Sequence, residues 1–559
     1  MKKNISKALS IVLCLMLIGT MCISAAAAAF DGSGTKNNPY VIRTAADVER
    51  LAQAVADGEN FSGQFIRLEN DITVYDTFTA IGSEAAPFKG TFDGNGKTLS
   101  GFSVSADSAG LFGYTDGAVI TDLTVKGEFN AESYAGAIAA YAVDTVIEKC
   151  TSAASIYCDE DYAGGIAGYI ASGKIYDCTA APDKVVSAYN KYCGGIAGYS
   201  GAEIKSCTNN AFVMGDQYTG GIAGFSSGDI ISCTNATTIN ASKTIAGGIA
   251  GATEGSIRYC KNTGAISTLT SSVGKAGGIA GVAYKAVIDQ CHNNGELSLT
   301  GLYAGGIAGY ATESDITDCL STAAVRTTSS YAGGIFGMAV DGKVSDCVST
   351  ASVSAAGSKA AGIGALSQTE ITDCYYNSDK IAAATYSSGT ADATGLTSAE
   401  FISAAALSDL DFDGKWIIHT AHSAAYPLLT AIPFHTVSVT SSTEADCTND
   451  GKITGTCTYC FEKIETVIPA TGHAYSVVSS KAPTCTAAGY RDLLCATCAD
   501  TDSEELAATG HCDADENSVC DRCGADLKEE EKPAEKTFLE KVGDFFRKIL
   551  NWIKNLFVR

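Results

Sequence analysis

The chain has 559 residues, with 62 acidic against 38 basic side chains and a formal charge of −24. That balance argues against nucleic acid as a partner and for a soluble, self-repelling surface. Charged residues make up only 18% of the chain while 59 residues are glycine, which suits a tightly wound β-coil better than a globular enzyme with a large aromatic core.

Residues 1–29 read as a signal peptide. Lys2, Lys3 and Lys7 precede an apolar stretch from Ala8 to Ile23, and Ala25–Ala29 offers small residues for cleavage, which places the mature start near Phe30. Nothing later is apolar for long enough to span a bilayer as a helix. The expected address is secreted and associated with the cell surface.

Residues 30–105 read as an N-terminal cap and the first strands. Pro39–Arg43 is strand-like, and Thr44 with Asp47 forms a capping-box pattern before Val48, Leu51, Ala52 and Val55, which share one helical face. Such a helix would cover the first rung and shield an open strand edge. Phe61–Asp71, Phe88–Asp93 and Thr98–Val104 supply the first strands, with a turn at Asp93–Gly96.

Residues 106–385 repeat one phrase. Gly-Gly-Ile-Ala-Gly stands at Gly164–Gly168, Gly194–Gly198, Gly220–Gly224, Gly247–Gly251, Gly277–Gly281 and Gly305–Gly309, with variants at Gly110–Gly113, Gly136–Ala140, Gly333–Gly337 and Ala361–Ala365. The central apolar residues, from Leu111 and Ile138 to Ile335 and Ile363, are 26 to 30 residues apart. A second column places an aliphatic residue three before a cysteine, from Ile147/Cys150 through Ile288/Cys291 and Ile316/Cys319 to Ile371/Cys374. This period predicts a solenoid. Short glycine-rich, β-branched pieces with turns between them make each coil a turn of a parallel β-helix, and rungs about 4.8 Å apart stack like side chains over one another. Stacked cysteines point the same way and are expected as buried core thiols, with ladder disulfides as the alternative. Cys158 and Cys193 lie outside this column and could pair with each other. Residues 386–432 read as the closing segment of the solenoid.

The run Gly32–Thr44, then Ile81-Gly82, Pro87–Thr98 and Gly110-Leu-Phe-Gly113, resembles the start of bacterial GLUG-motif surface proteins. The later Gly-Gly-Ile-Ala-Gly and Ile-x-x-Cys blocks resemble the repeats of that family, and Trp416 with Tyr426–Leu429 resembles its closing segment. The resemblance covers about residues 31–430 and implies an extracellular, right-handed β-helix. Similar repeats occur in adhesin-like proteins and beside the catalytic domain of IgA-specific metallopeptidases.

Residues 433–527 change character. His435, His473 and His511 are 38 residues apart, as are Cys447 and Cys485, Cys457 and Cys495, and Cys460 and Cys498. The unit Cys-x9-Cys-x2-Cys followed by Ala-Thr-Gly-His occurs twice, and a shortened third unit contains Cys512, Cys520 and Cys523. It resembles Cys/His repeats near the C-termini of bacterial surface proteins. Each unit offers three thiols and one imidazole: Cys447, Cys457, Cys460 and His473 in the first, Cys485, Cys495, Cys498 and His511 in the second. That donor set suits a closed structural zinc site, and disulfides are the alternative in an exported module this small. Both readings stand at this point. A calcium-loop flavour at Asp513, Asp515, Asn517 and Asp521 is weakened by Ser518 and Gly524 where glycine and glutamate belong.

Residues 528–536 are a charged linker. In residues 537–559, Phe538, Val542, Phe545, Phe546, Ile549, Ile553 and Leu556 recur at helical spacing beside Lys541, Arg547, Lys548, Lys554 and Arg559. A basic amphipathic helix suits peripheral contact with a membrane or envelope surface, or docking on its own protein.

No catalytic constellation is expected. Repeat spacing leaves no large catalytic loop, and no histidine begins a His-Glu-x-x-His motif. Asp177, Asp318, Asp346 and Asp373, each before a ladder cysteine, suit a solvated column or turn positions. His419 and His422 are expected to make local contacts. The expected function is a non-catalytic, adhesin-like surface protein that binds glycans or host or envelope proteins. A carbohydrate-active β-helix enzyme and a purely structural spacer are the alternatives.

Overall fold

The computed structural model describes residues 30–525, apart from short segments at 75–77, 269–273, 386–390, 419–425, 433–436, 458–462 and 512–518 and a few single positions. The signal peptide, the charged linker, the amphipathic helix, Cys460, His419, His422, His435 and Cys512 lie outside the described residues. Among the described residues no helix is long and apolar enough to cross a membrane. The chain divides into two units, with the boundary between Phe434 and His435.

The first unit is a parallel β-solenoid of about 12 turns. Its register follows the repeats. One core column runs Ile66, Phe92, Ile120, Ile147, Ile175, Ile204, Ile230, Ile257, Ile288, Ile316, Val344 and Ile371, each paired with the next rung. Every one of these side chains is buried. Burying such a side chain is worth about 1.5–3 kcal/mol, so the column supplies a large share of the cohesion between coils. The motif isoleucines form a second column, in which the Ile166 N–H donates to the Ile196 carbonyl at 2.9 Å and Ile249 to Ile279 at 2.9 Å.

The motif glycines mark places where one backbone crosses another too closely for a side chain. A Cβ on Gly221 would lie 2.2 Å from the Gly248 carbonyl oxygen in the next coil. Another bend is made without glycine. The residue before each ladder cysteine, from Lys149 and Asp177 to Asp346 and Asp373, has a φ between 49° and 58°. Aspartate tolerates this left-handed corner better than most side chains. The Asp column is therefore a turn column.

The ladder cysteines are free, buried thiols. Each S–H lies 3.1–3.4 Å from the carbonyl two residues earlier, as Cys178 does from Tyr176 and Cys319 from Thr317. Burial pushes the Cys178, Cys260 and Cys319 thiols up, which keeps the protons of those three, while hydrogen bonds from the thiols of neighbouring coils draw Cys207 down and outweigh burial at Cys291 and Cys347. Cys158 and Cys193 are also free. Cys158 pairs in register with Ala188, and Cys193 with Ala163 and Thr219, so the pairing considered for them is not formed. A buried polar ladder runs two residues beyond the cysteines. Asn209, Asn235, Asn262 and Asn293 pass side-chain amide hydrogen bonds of 2.8–2.9 Å from one coil to the next.

At the N-terminal end, Thr44 and Asp47 close a capping box and helix Ala45–Ala56 follows. It buries Val48, Leu51, Ala52, Ala54 and Val55 in the same core as the rungs. At the other end the closing segment lies against one lateral column. The residue after each ladder cysteine is Thr151, Thr179, Thr208 and Thr234, then Lys261 and His292, then Leu320, Val348 and Tyr375. The last three turn apolar because Leu396, Phe401, Leu407, Leu410, Trp416 and Leu429 pack on them. Trp416 Nε1 and Lys415 Nζ donate to the carboxylate of Asp318 at 3.3 and 2.6 Å, fixing the segment to the coil.

The second unit contains two three-stranded antiparallel sheets. One joins Val437–Thr443, Gly451–Cys457 and Lys463–Ile468, and the other Tyr475–Lys481, Gly489–Cys495 and Thr501–Leu506. Their registers match after 38 residues: Val437 pairs Cys457 as Tyr475 pairs Cys495.

Candidate functional site

Two places gather side chains with chemistry to offer. The first is on the solenoid. Aromatic residues flank the Gly-Gly-Ile-Ala-Gly motif, two positions before its first glycine and one after its last, and in-register coils stack them. Tyr114, Tyr141, Tyr169, Tyr199 and Phe225 form one column, with centroids 4.5–5.3 Å apart and planes within 11°. Tyr134, Tyr162, Tyr192 and Tyr218 form another, at 5.1–5.3 Å. The columns meet edge to face, as Tyr134 does with Tyr141 at 5.2 Å and 84°. All nine rings are partly exposed. Burial, then Asp161 and neighbouring tyrosines, push Tyr162 up to about 12, and burial and neighbouring tyrosines do the same to Tyr169, so the hydroxyls stay protonated donors.

Rings inside a column have both faces covered by their neighbours. Only an end ring offers a free face for stacking. The columns end one coil apart, at Tyr114 and at Tyr134. Tyr134 pairs in register with Ser108, a side chain too small to continue the stack. Before Tyr114, the coil departs into a turn in which Ser83 and Ala86 exchange backbone hydrogen bonds. The missing rings leave a cleft of about 920 Å³ lined by Tyr114, Tyr134, Tyr141, Glu84, Asp107 and Ser83, among others. Asp107 accepts from the Ser133 hydroxyl at 3.0 Å. Burial first, and then Asp161, Asp107 and Glu84, hold the Tyr134 hydroxyl above its ordinary range. The cleft thus joins aromatic faces, hydroxyl donors and carboxylate acceptors.

The second place is the C-terminal unit, where the thiols and imidazoles gather in two clusters. Cys447, His473, Cys495 and Cys498 form one, and Cys485, His511, Cys520 and Cys523 the other, with all ligand atoms of each within 4.8 Å of one another. This grouping differs from the one expected. The first cysteine and the histidine of one unit meet the Cys-x2-Cys of the next. Strand pairing explains it: Tyr475 opposite Cys495 brings His473 beside the following unit's cysteine pair. The side chain of Cys457 and all of Cys460 lie outside the described residues.

Both Cys-x2-Cys turns have the same form. The Cys495 N–H donates to Asp500 O and the Ala499 N–H to Cys495 O, while Cys520 and Gly524 repeat this pair of bonds with Ala525 and Cys520. Ala499 and Gly524 supply the positive φ, 58° and 70°. The Cys495 thiol is drawn down to about 5, chiefly by the Cys498 backbone N–H. The imidazole edge away from the thiols is also engaged. His473 Nε2 faces Asp500 Oδ2 at 3.6 Å, and the Tyr475 hydroxyl donates to the same oxygen at 2.7 Å.

The two aromatic columns were legible around the glycine motifs but are not singled out by a search for catalytic residue types. Their cleft depends on where the columns stop, which requires the register of the first coils.

No protein-family model matches the chain. A protein of Evansella cellulosilytica named as a Gly-rich membrane protein is 31% identical over 107 residues, which cover 18% of this chain and 12% of that protein. Halomucin of Haloquadratum walsbyi is 33% identical over 110 residues, 18% of this chain and 1% of its own length. The chain thus spans only a small part of these relatives. Among solved structures, a protein of Bacteroides ovatus named as an immunoglobulin A1 protease is similar at 17% identity and a TM-score of 0.32, covering 72% of this chain and 95% of its own.

Proposed function

We propose that this is an exported, non-catalytic surface protein of the GLUG-motif kind, whose solenoid binds a glycan in the cleft at the end of its tyrosine columns. The cleft carries the reading. A pyranose ring places C–H bonds against the free face of Tyr114 or Tyr134, and its hydroxyls donate to Glu84 and Asp107. Two carboxylates in a chain of charge −24 select against acidic polysaccharides and for neutral or amino sugars. The remaining coils hold the cleft on a rigid, regular support.

The test is a glycan array probed with the full chain, followed by titration of the best ligand. Tyr114→Ala and Tyr134→Ala are expected to weaken binding at least tenfold, about 1.4 kcal/mol, while Tyr218→Ala at the far end of its column leaves it unchanged. Silence of the wild-type chain across the array, or equal binding by all three variants, contradicts the reading. Release of cleaved product from a bound glycan would instead favour the carbohydrate-active enzyme reading.

A further inference from the structure

We infer that the C-terminal repeats are joined by zinc ions, each ion held between two successive repeats rather than within one. Each site takes a cysteine and the histidine of one repeat and the Cys-x2-Cys turn of the next. Cys447, His473, Cys495 and Cys498 hold one ion, and Cys485, His511, Cys520 and Cys523 the other.

The distances are those of a tetrahedral site. With Zn–S near 2.3 Å and Zn–N near 2.0–2.1 Å, two thiolates on one ion lie about 3.8 Å apart and a thiolate and imidazole about 3.6 Å. Cys447 Sγ and Cys495 Sγ are 3.6 Å apart, and His473 Nδ1 and Cys498 Sγ 3.2 Å. The second cluster repeats this, with Cys485 and Cys520 at 3.6 Å and His511 Nδ1 and Cys523 at 3.4 Å. A donor set of three thiolates and an imidazole, with no position left for water, is that of a structural zinc site.

Two further observations point to an ion. His473 turns Nδ1 to the thiols while Nε2 faces the Asp500 carboxylate, the outer contact that orients a zinc-bound imidazole. The second sheet also lacks a core. Every residue of Tyr475–Lys481 is exposed, and in the adjoining strand Gly489–Cys495 only the two ends are buried. A module this small that buries so little needs a staple, and the clusters are where its buried cysteines converge.

Because each ion bridges two repeats, it also sets how one repeat follows the next. Three thiols lose their protons on binding and the imidazole binds neutral, so one site carries a net charge of −1 and releases protons as it fills.

The experiment is metal content of the full-length chain, purified with zinc and without chelator, alongside the visible spectrum of the cobalt-exchanged protein. The wild type is expected to hold at least two zinc equivalents and to show the d–d bands of a tetrahedral cobalt thiolate. Cys447→Ser and Cys495→Ser each lose one equivalent, and the double variant loses the same single equivalent. Cys485→Ser with Cys520→Ser behaves likewise, and each pair leaves the other site as an internal control for folding. Loss of two equivalents from Cys447→Ser/Cys495→Ser places each ion within one repeat and overturns the inference. So does a wild type that binds no zinc and has these six thiols consumed in disulfides.

Discussion

At the scale of single residues, the column that follows the ladder cysteines shows how one position changes chemistry along the solenoid. Threonines face outward in the early coils, and leucine, valine and tyrosine take over where the closing segment covers them. His292 sits at the transition. It is buried, with Nε2 3.2 Å from the Thr322 hydroxyl, and burial together with the nearby Lys261 draws it from 6.5 to about 3. The folded state therefore refuses a proton that the unfolded chain accepts. The stabilisation from a neutral His292 is full above pH 6.5 and falls by about 1.4 kcal/mol per unit as pH drops towards 3. His292→Leu, which copies Leu320 one coil on, is expected to remove one proton from this dependence. Denaturant melts of both proteins across that range check it, and identical slopes contradict it. The same column was legible as a sequence pattern, since the residue after each cysteine can be read directly. Its meaning was not, because only packing shows which coils are covered.

At the scale of elements, the closing segment is the part of the first unit that does not repeat, and it is held by an apolar cluster and by the Asp318 carboxylate. Trp416 is 1% exposed and its indole N–H and the Lys415 ammonium converge on Asp318. Burial raises the Asp318 carboxyl while Lys415 and Trp416 oppose the rise. Trp416→Ala removes the largest side chain of that cluster, a change worth about 3–5 kcal/mol in a packed core. The expected outcome is local: amide exchange quickens over residues 396–432 while the coils between Cys150 and Cys260 remain protected. Exchange that quickens equally throughout would show one cooperative unit instead. The C-terminal elements teach a related lesson about legibility. A 38-residue period makes the spacing within a repeat and between repeats equally regular, so Cys447 has no sequence preference for Cys457 over Cys495. The pairing of Tyr475 with Cys495 makes the choice.

At the scale of the solenoid unit, the repeats made the architecture readable because one physical requirement recurs. Each coil must present the same apolar residues to the same neighbours, and Ile288 opposite Ile316 is one instance of a column that continues along the unit. The cleft at the end of the tyrosine columns was not readable in this way. It exists because Ser108 stands where another tyrosine would, and an absence in a column appears only once the column is known. The central claim is thus the register itself, from which both the tyrosine columns and the cleft follow. Pulsed electron-spin distances test it most directly, with labels on introduced non-natural residues so that the native thiols are untouched. One register column, exposed or part-exposed except at Ser345, runs from Glu148 through Tyr176, Lys205, Ile231, Arg258, Asp289, Thr317 and Ser345 to Thr372. At about 4.8 Å per coil, labels at Glu148 and Arg258, Thr317 or Thr372 should lie about 19, 29 and 38 Å apart, a straight line in coil number. Distances that fail to grow with each added coil would contradict the stacked register and the binding surface built on it.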